Sequence, residues 1–140
     1  MTVHESSLSP CIHSILATKL GYLEKAEELY LRTSRLDLDD YNHDTCDGLH
    51  ITSMAGTWMS VIKGFGGIRI VNHQIVINPR LPKHWTDLTF SMRFKGSILH
   101  INIQKELCTL TNQGSQAIPI LIKNTSIMLL AREQKSIPYA

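Results

Sequence analysis

The stretch "LHITSMAGTWMSVIKGFGGIRIVNHQIVINP", Leu49 to Pro79, changes its hydrophobic period at about Gly64. Up to Lys63 the spacing is helical and apolar almost all round, with a strip of small residues at Ser53, Gly56, Thr57 and Ser60. A helix of that kind is expected to be buried, and its small strip lets another backbone come close. "GFGG", Gly64 to Gly67, closes the helical part. The residues that follow read as two short β runs around Asn72-His73, a hairpin signal.

Downstream, "LTFSMRFKGSILHINIQKE" alternates Leu88, Phe90, Met92 and Phe94 against polar partners, turns at Lys95-Gly96, and resumes with Ile98, Leu99, Ile101 and Ile103. "LCTLTNQG", "AIPILIK" and "SIMLLA" add further short strands. The second half is therefore expected to be an antiparallel β domain with one buried face.

Upstream, Ser9 followed by Pro10 reads as an N-cap with proline at the first helical position. Ile12, Ile15, Leu16 and Leu20 then mark one apolar face, and Gly21 stops the helix. A second helix is expected from about Leu23 to Leu36, with Ala26, Leu29, Tyr30 and Thr33 inward and Glu24, Lys25, Glu27 and Glu28 in water. "LDLDDYNHDTCDG", Leu36 to Gly48, is an acidic loop whose last acids can cap the third helix. Three helices cannot cover one that is apolar on every side, so partner helices are expected.

The 140 residues suffice for one domain or two small lobes. A formal charge of +2, with Lys and Arg dispersed, argues against nucleic acid as a partner. Cys11, Cys46 and Cys108 form no CxxC and follow no secretory leader, which points to free thiols and the cytoplasm. No apolar run reaches the roughly 18 residues needed to span a bilayer, so no membrane is expected.

The candidate site is the lead-in "HESSLS", His4 to Ser9. A helix N-terminus offers N–H groups and the positive end of the dipole to an anion. Ser6, Ser7 and Ser9 add hydroxyls, and His4 adds an imidazole N–H suited to phosphate. A capped helix with a polar lead-in is the competing reading of the same residues. A metal held by His4, Glu5 and His13 is disfavoured, because neither HExxH nor CxxC spacing supports it. His43, Asp44, Asp47 and His50 form a second polar cluster, read here as Asx turns and N-caps rather than as acid/base groups. Trp58 and Trp85 could stack on a sugar, with core or hinge packing the default for both.

"HESSLSPCIHSILA", "YLRTSRLDLDDYNHDTCDGLHITSMAGTWMSVIKGFGGIRI" and "INPRLPKHWTDLTFSMRFKGSILHINI" together resemble the C-terminal part of the glycoside hydrolase family that holds the maltose, kojibiose and trehalose phosphorylases. The resemblance implies an α+β chain: residues 1–67 would be the last helices of an (α/α)6 catalytic barrel and residues 68–140 a C-terminal antiparallel β-sheet domain. It implies phosphorolysis with inversion, in which phosphate attacks the anomeric carbon while a Glu protonates the leaving sugar. An inverting hydrolase uses a second carboxylate to activate water, and a phosphorylase has an anion site in its place. By position, that role falls on His4, Ser6 and Ser7.

The family's general-acid Glu lies upstream of the matching stretch, so no catalytic residue is expected in this chain, which would be a fragment inactive by itself. No cofactor is implied, since inorganic phosphate is a substrate. The implied partners are the disaccharide, phosphate and the rest of the barrel, with a homodimer open to the full-length form. The competing class is a non-catalytic accessory module packing on a helical partner, and reading the DNA upstream of the Met1 codon separates the two.

Overall fold

The computed structural model describes residues 6–7, 9–41, 43 and 45–139. Two compact units follow one another, Met1–Phe65 and Gly66–Ala140.

Among the described residues the first unit contains three α-helices: α1 (Ser9–Leu20), α2 (Leu23–Ser34) and α3 (Ile51–Met59). Helix α3 runs on into a π-helical turn, Ser60–Phe65. Gly21 ends α1 in a left-handed conformation, φ 89°, and a Schellman pair of bonds closes the end. Gly21 N–H reaches the Thr18 carbonyl at 3.1 Å and Tyr22 N–H reaches that of Ala17 at 2.9 Å. Helix α2 buries Ala26, Leu29 and Thr33, as its period predicts.

The inner face of α1 is not the one that hydrophobicity marks. Pro10, Cys11, Ser14, Ala17 and Thr18 are buried, whereas Ile12, Leu16 and Leu20 are exposed. Nor is α3 buried all round: Ser53 and Gly56 face inward, while Ile51, Met54 and Trp58 are exposed, Trp58 by 60%. Trp58 thus packs in no core among the described residues. The physical reason is the closeness of the helices. A Cβ added to Gly56 would stand 2.7 Å from Cys11 Sγ and 2.8 Å from Cys11 Cβ. The Ser14 hydroxyl donates to the Ala26 carbonyl of α2 at 2.8 Å. Only small side chains fit between backbones at that distance, so the large apolar ones turn outward.

The second unit contains eight strands: β1 (Ile68–Val71), β2 (Gln74–Ile77), β3 (Asp87–Phe94), β4 (Ser97–Gln104), β5 (Leu107–Asn112), β6 (Ile118–Ile122), β7 (Thr125–Leu129) and β8 (Gln134–Pro138). They form two four-stranded sheets, β1-β2-β6-β7 and β3-β4-β5-β8. All pairs are antiparallel except β2 with β6, which is parallel, Ile75 opposite Ile120 and Ile77 opposite Ile122. Each sheet buries one face. Ile75, Ile77, Ile118, Ile120, Ile122 and Leu129 come from the first, and Leu99, Ile101, Ile103, Cys108 and Leu110 from the second. Both expected hairpin turns form. Asn72 and His73, and likewise Lys95 and Gly96, have positive φ at both positions, the backbone of a type I′ turn. The parallel pair departs from the purely antiparallel expectation, and β8, itself antiparallel to β5, is a strand that spacing did not mark. β8 is polar at most positions, and only its pairing with β5 makes it a strand.

Candidate functional site

The lead-in to α1 is described at Ser6, Ser7 and Ser9, while His4 and Glu5 lie outside the described residues. Ser9 begins the helix. Its N–H and its hydroxyl both donate to the Ser6 carbonyl at 3.3 Å. The N-cap expected at Ser9 is thus a turn closed onto Ser6, and His13 Nδ1 lies 2.7 Å from the Ser9 carbonyl one turn on. Ser6 is exposed and Ser7 half-buried. The Ser7 carbonyl accepts the hydroxyl of Ser53, on α3, at 2.9 Å. The two serines therefore sit at the positive end of the α1 dipole, with both carbonyls engaged by protein donors.

The second polar cluster does not come together as spacing suggested. His43 is exposed, with Nδ1 3.8 Å from Asp40 Oδ2, and Asp44 lies outside the described residues. Asp47 ends an exposed 3₁₀ turn, Thr45–Asp47. Asp40, outside that cluster, accepts the Thr45 N–H on Oδ1 at 3.1 Å, five positions on and so not an Asx turn. The expectation that the loop's last acids cap α3 is corrected: the cap position is His50, which makes no side-chain cap.

The acid that reaches α3 is Asp37, which the sequence did not single out. Its Oδ1 lies 2.6 Å from His50 Nδ1 and its Oδ2 accepts the His50 N–H at 2.9 Å. The pair is largely buried, and hydrogen bonding from His50 holds the Asp37 carboxyl below its usual range. No spacing rule joins residues 13 positions apart across an irregular loop. Beside the pair, a mostly apolar crevice between α2 and α3 is lined by Leu38, Leu49 and Met54, with Asp37 and Ser53 at its polar side.

Cys11, Cys46 and Cys108 form no disulfide. Burial pushes the Cys108 thiol up to about 12, which leaves it in the protonated, unreactive form at neutral pH. Among the described residues no three His, Cys, Asp or Glu side chains converge. No helix among them is long and apolar enough to cross a membrane.

Residues 1–59 match the model described as "Glycosyl hydrolase family 65 central catalytic domain", and residues 68–129 match "Glycosyl hydrolase family 65, C-terminal domain". The chain is 43% identical over 135 residues to an alpha,alpha-trehalose phosphorylase of Thermoanaerobacter brockii, covering 96% of this chain and 17% of that protein. It is 40% identical over 138 residues to a maltose phosphorylase of Bacillus subtilis, covering 99% and 18%. A solved structure titled "Putative kojibiose phosphorylase from human microbiome" superposes with a TM-score of 0.88 at 37% identity, over 98% of this chain and 18% of that one. The chain thus spans under a fifth of the length of each of these relatives.

Proposed function

Since this chain belongs to glycosyl hydrolase family 65, we propose that it supplies the phosphate-holding end of an inverting disaccharide phosphorylase. The observation that carries the reading is the Ser6–Ser7 lead-in, at the N-terminal end of α1 and held to α3 through Ser53. Phosphate bound there by His4, Ser6 and Ser7 attacks the anomeric carbon of an α-glucosyl unit, and a Glu outside these 140 residues protonates the departing sugar. Maltose is the disaccharide put first; the products are β-glucose 1-phosphate and glucose, and no cofactor takes part. The relatives include a trehalose phosphorylase and a maltose phosphorylase, so trehalose and kojibiose belong in the same assay.

The helices are assigned to the end of an (α/α)6 barrel. Exposed Ile12, Leu16, Ile51, Met54 and Trp58 support this, being the large apolar side chains that further barrel helices would cover. Free thiols support a cytoplasmic setting.

By itself the chain lacks the proton donor, whose loss alone costs on the order of 10²–10⁴ in rate. The purified chain is therefore expected to release no glucose from maltose and phosphate. Grafted in place of the matching segment of the Bacillus subtilis maltose phosphorylase, it is expected to support turnover. His4→Ala and Ser7→Ala in that graft should each raise the apparent KM for phosphate. Turnover by the chain alone, or an unchanged phosphate KM in both variants, overturns the reading.

A further inference from the structure

Three threonine hydroxyls of the helical unit turn back on their own helix, while the buried serines Ser14, Ser53 and Ser60 each reach a carbonyl of another segment. Thr18 donates to the Ser14 carbonyl, Thr33 to that of Leu29 and Thr57 to that of Ser53, the local bond that a hydroxyl makes when nothing else claims it. Ser53, only 1% exposed, reaches instead across 46 positions of sequence to the Ser7 carbonyl. The bond has a consequence for an anion. A peptide carbonyl presents negative charge, and one aimed at a bound oxyanion repels it. Drawing the Ser7 carbonyl into α3 keeps that oxygen off the anion's side of the lead-in and holds the serine loop in one place.

The position of Ser53 is itself determined. Its N–H donates to the His50 carbonyl at 2.9 Å, in the first turn of α3. His50 is held by two bonds to the Asp37 carboxylate. One turn further on, the contact of Gly56 with Cys11 sets how near α3 lies to α1. A series of packed and bonded groups therefore runs from Asp37 through His50 and Ser53 to Ser7.

We propose that Ser53 is a positioning residue for the phosphate loop, acting through the Ser7 carbonyl, with Asp37 and His50 fixing where it stands. The proposal rests on the phosphate reading of His4 to Ser7, and the test separates the two. Backbone amide NMR spectra of the 140-residue chain are titrated with inorganic phosphate. Saturable shifts are expected at Ser6 and Ser7, and Ser53→Ala should weaken the binding about fivefold, the worth of one hydrogen bond. Amide exchange at Ser6, Ser7 and Ser9 should quicken in the same variant. Thr57→Ala, which removes a half-buried hydroxyl from the same helix without touching Ser7, is the control for simple loss of stability and should bind phosphate as the unaltered chain does. If Ser53→Ala binds phosphate as the unaltered chain does, or Thr57→Ala weakens it equally, the positioning role is overturned while the phosphate reading stands. If the unaltered chain shows no saturable shifts, both fall.

Discussion

The side-chain amide of Asn112, on the inner face of β5 and fully buried, donates to the carbonyls of Gln116 at 2.8 Å and Leu130 at 2.9 Å. Its oxygen accepts the Gly114 N–H at 2.9 Å. One residue thereby satisfies a bend after its own strand and the end of β7, which belongs to the other sheet. Asn112→Ala leaves those groups without their partner in a closed core, and is expected to cost about 2–4 kcal/mol. Urea unfolding of the unaltered and variant chains checks this, and a loss below about 1 kcal/mol would contradict it. Asp37 permits a test with a sign. Its folded pKa is depressed by His50, so its contribution is present above the unfolded value of about 4 and is lost as pH falls through the folded one. Asp37→Asn should therefore lower the Tm at pH 7, and the gap to the unaltered chain should narrow as the pH drops below about 4. A gap that widens in acid would show the sign to be wrong. Neither role was legible beforehand: "NQG" reads as the end of a strand, and Asp37 as one of several acids in a loop.

At the scale of elements, patterns that concern one segment alone were readable, and patterns that depend on a neighbour were not. The small strip on α3 was visible in the sequence, and the structure sets Gly56 against Cys11 as that strip allows. Gly56→Ala sharpens the point. Alanine gains about 1 kcal/mol of helix propensity, but its Cβ meets Cys11 at a distance that neither backbone can relieve without moving. The expected net effect is a loss of about 1–2 kcal/mol, read as a lower Tm; a higher Tm would mean that the helices part more easily than this packing implies. The inner face of α1 was misread because a hydrophobic period ranks residues by their dislike of water. How near another helix comes is a property of the pair, and here it favours Cys11, Ser14 and Ala17 over Ile12 and Leu16. The hairpin turns were legible because a two-residue link leaves the backbone few choices.

For the whole molecule, the two units present different surfaces. The outer face of the β3-β4-β5-β8 sheet carries Thr89, Asn102, Thr109 and Ser136 in one row, with Asn102 donating to Thr89 at 2.6 Å and Thr109 bonded to Ser136 at 2.8 Å. The helical unit exposes Ile12, Leu16, Leu20, Ile51, Met54 and Trp58, more large apolar side chains than the Ile70, Val71, Met128 and Leu130 exposed on the β unit. Patches of that kind bind other apolar surfaces. The purified chain is expected to bind a hydrophobic dye and to self-associate as its concentration rises. Replacing Ile12, Leu16 and Trp58 together with Glu should suppress both with little change in Tm, as measured by dye fluorescence and sedimentation; undiminished association would place the sticky surface elsewhere. The helix-then-strand order, the turns, the solvated face of α2 and the family resemblance were settled by the sequence, because each depends on residues close together in the chain. Sheet membership, the parallel β2–β6 pair, the outward turn of the large apolar side chains, and the bonds from His50 to Asp37 and from Ser53 to Ser7 were decided only by the tertiary structure. Each joins residues far apart in the chain, and no local spacing records a distance that only folding closes.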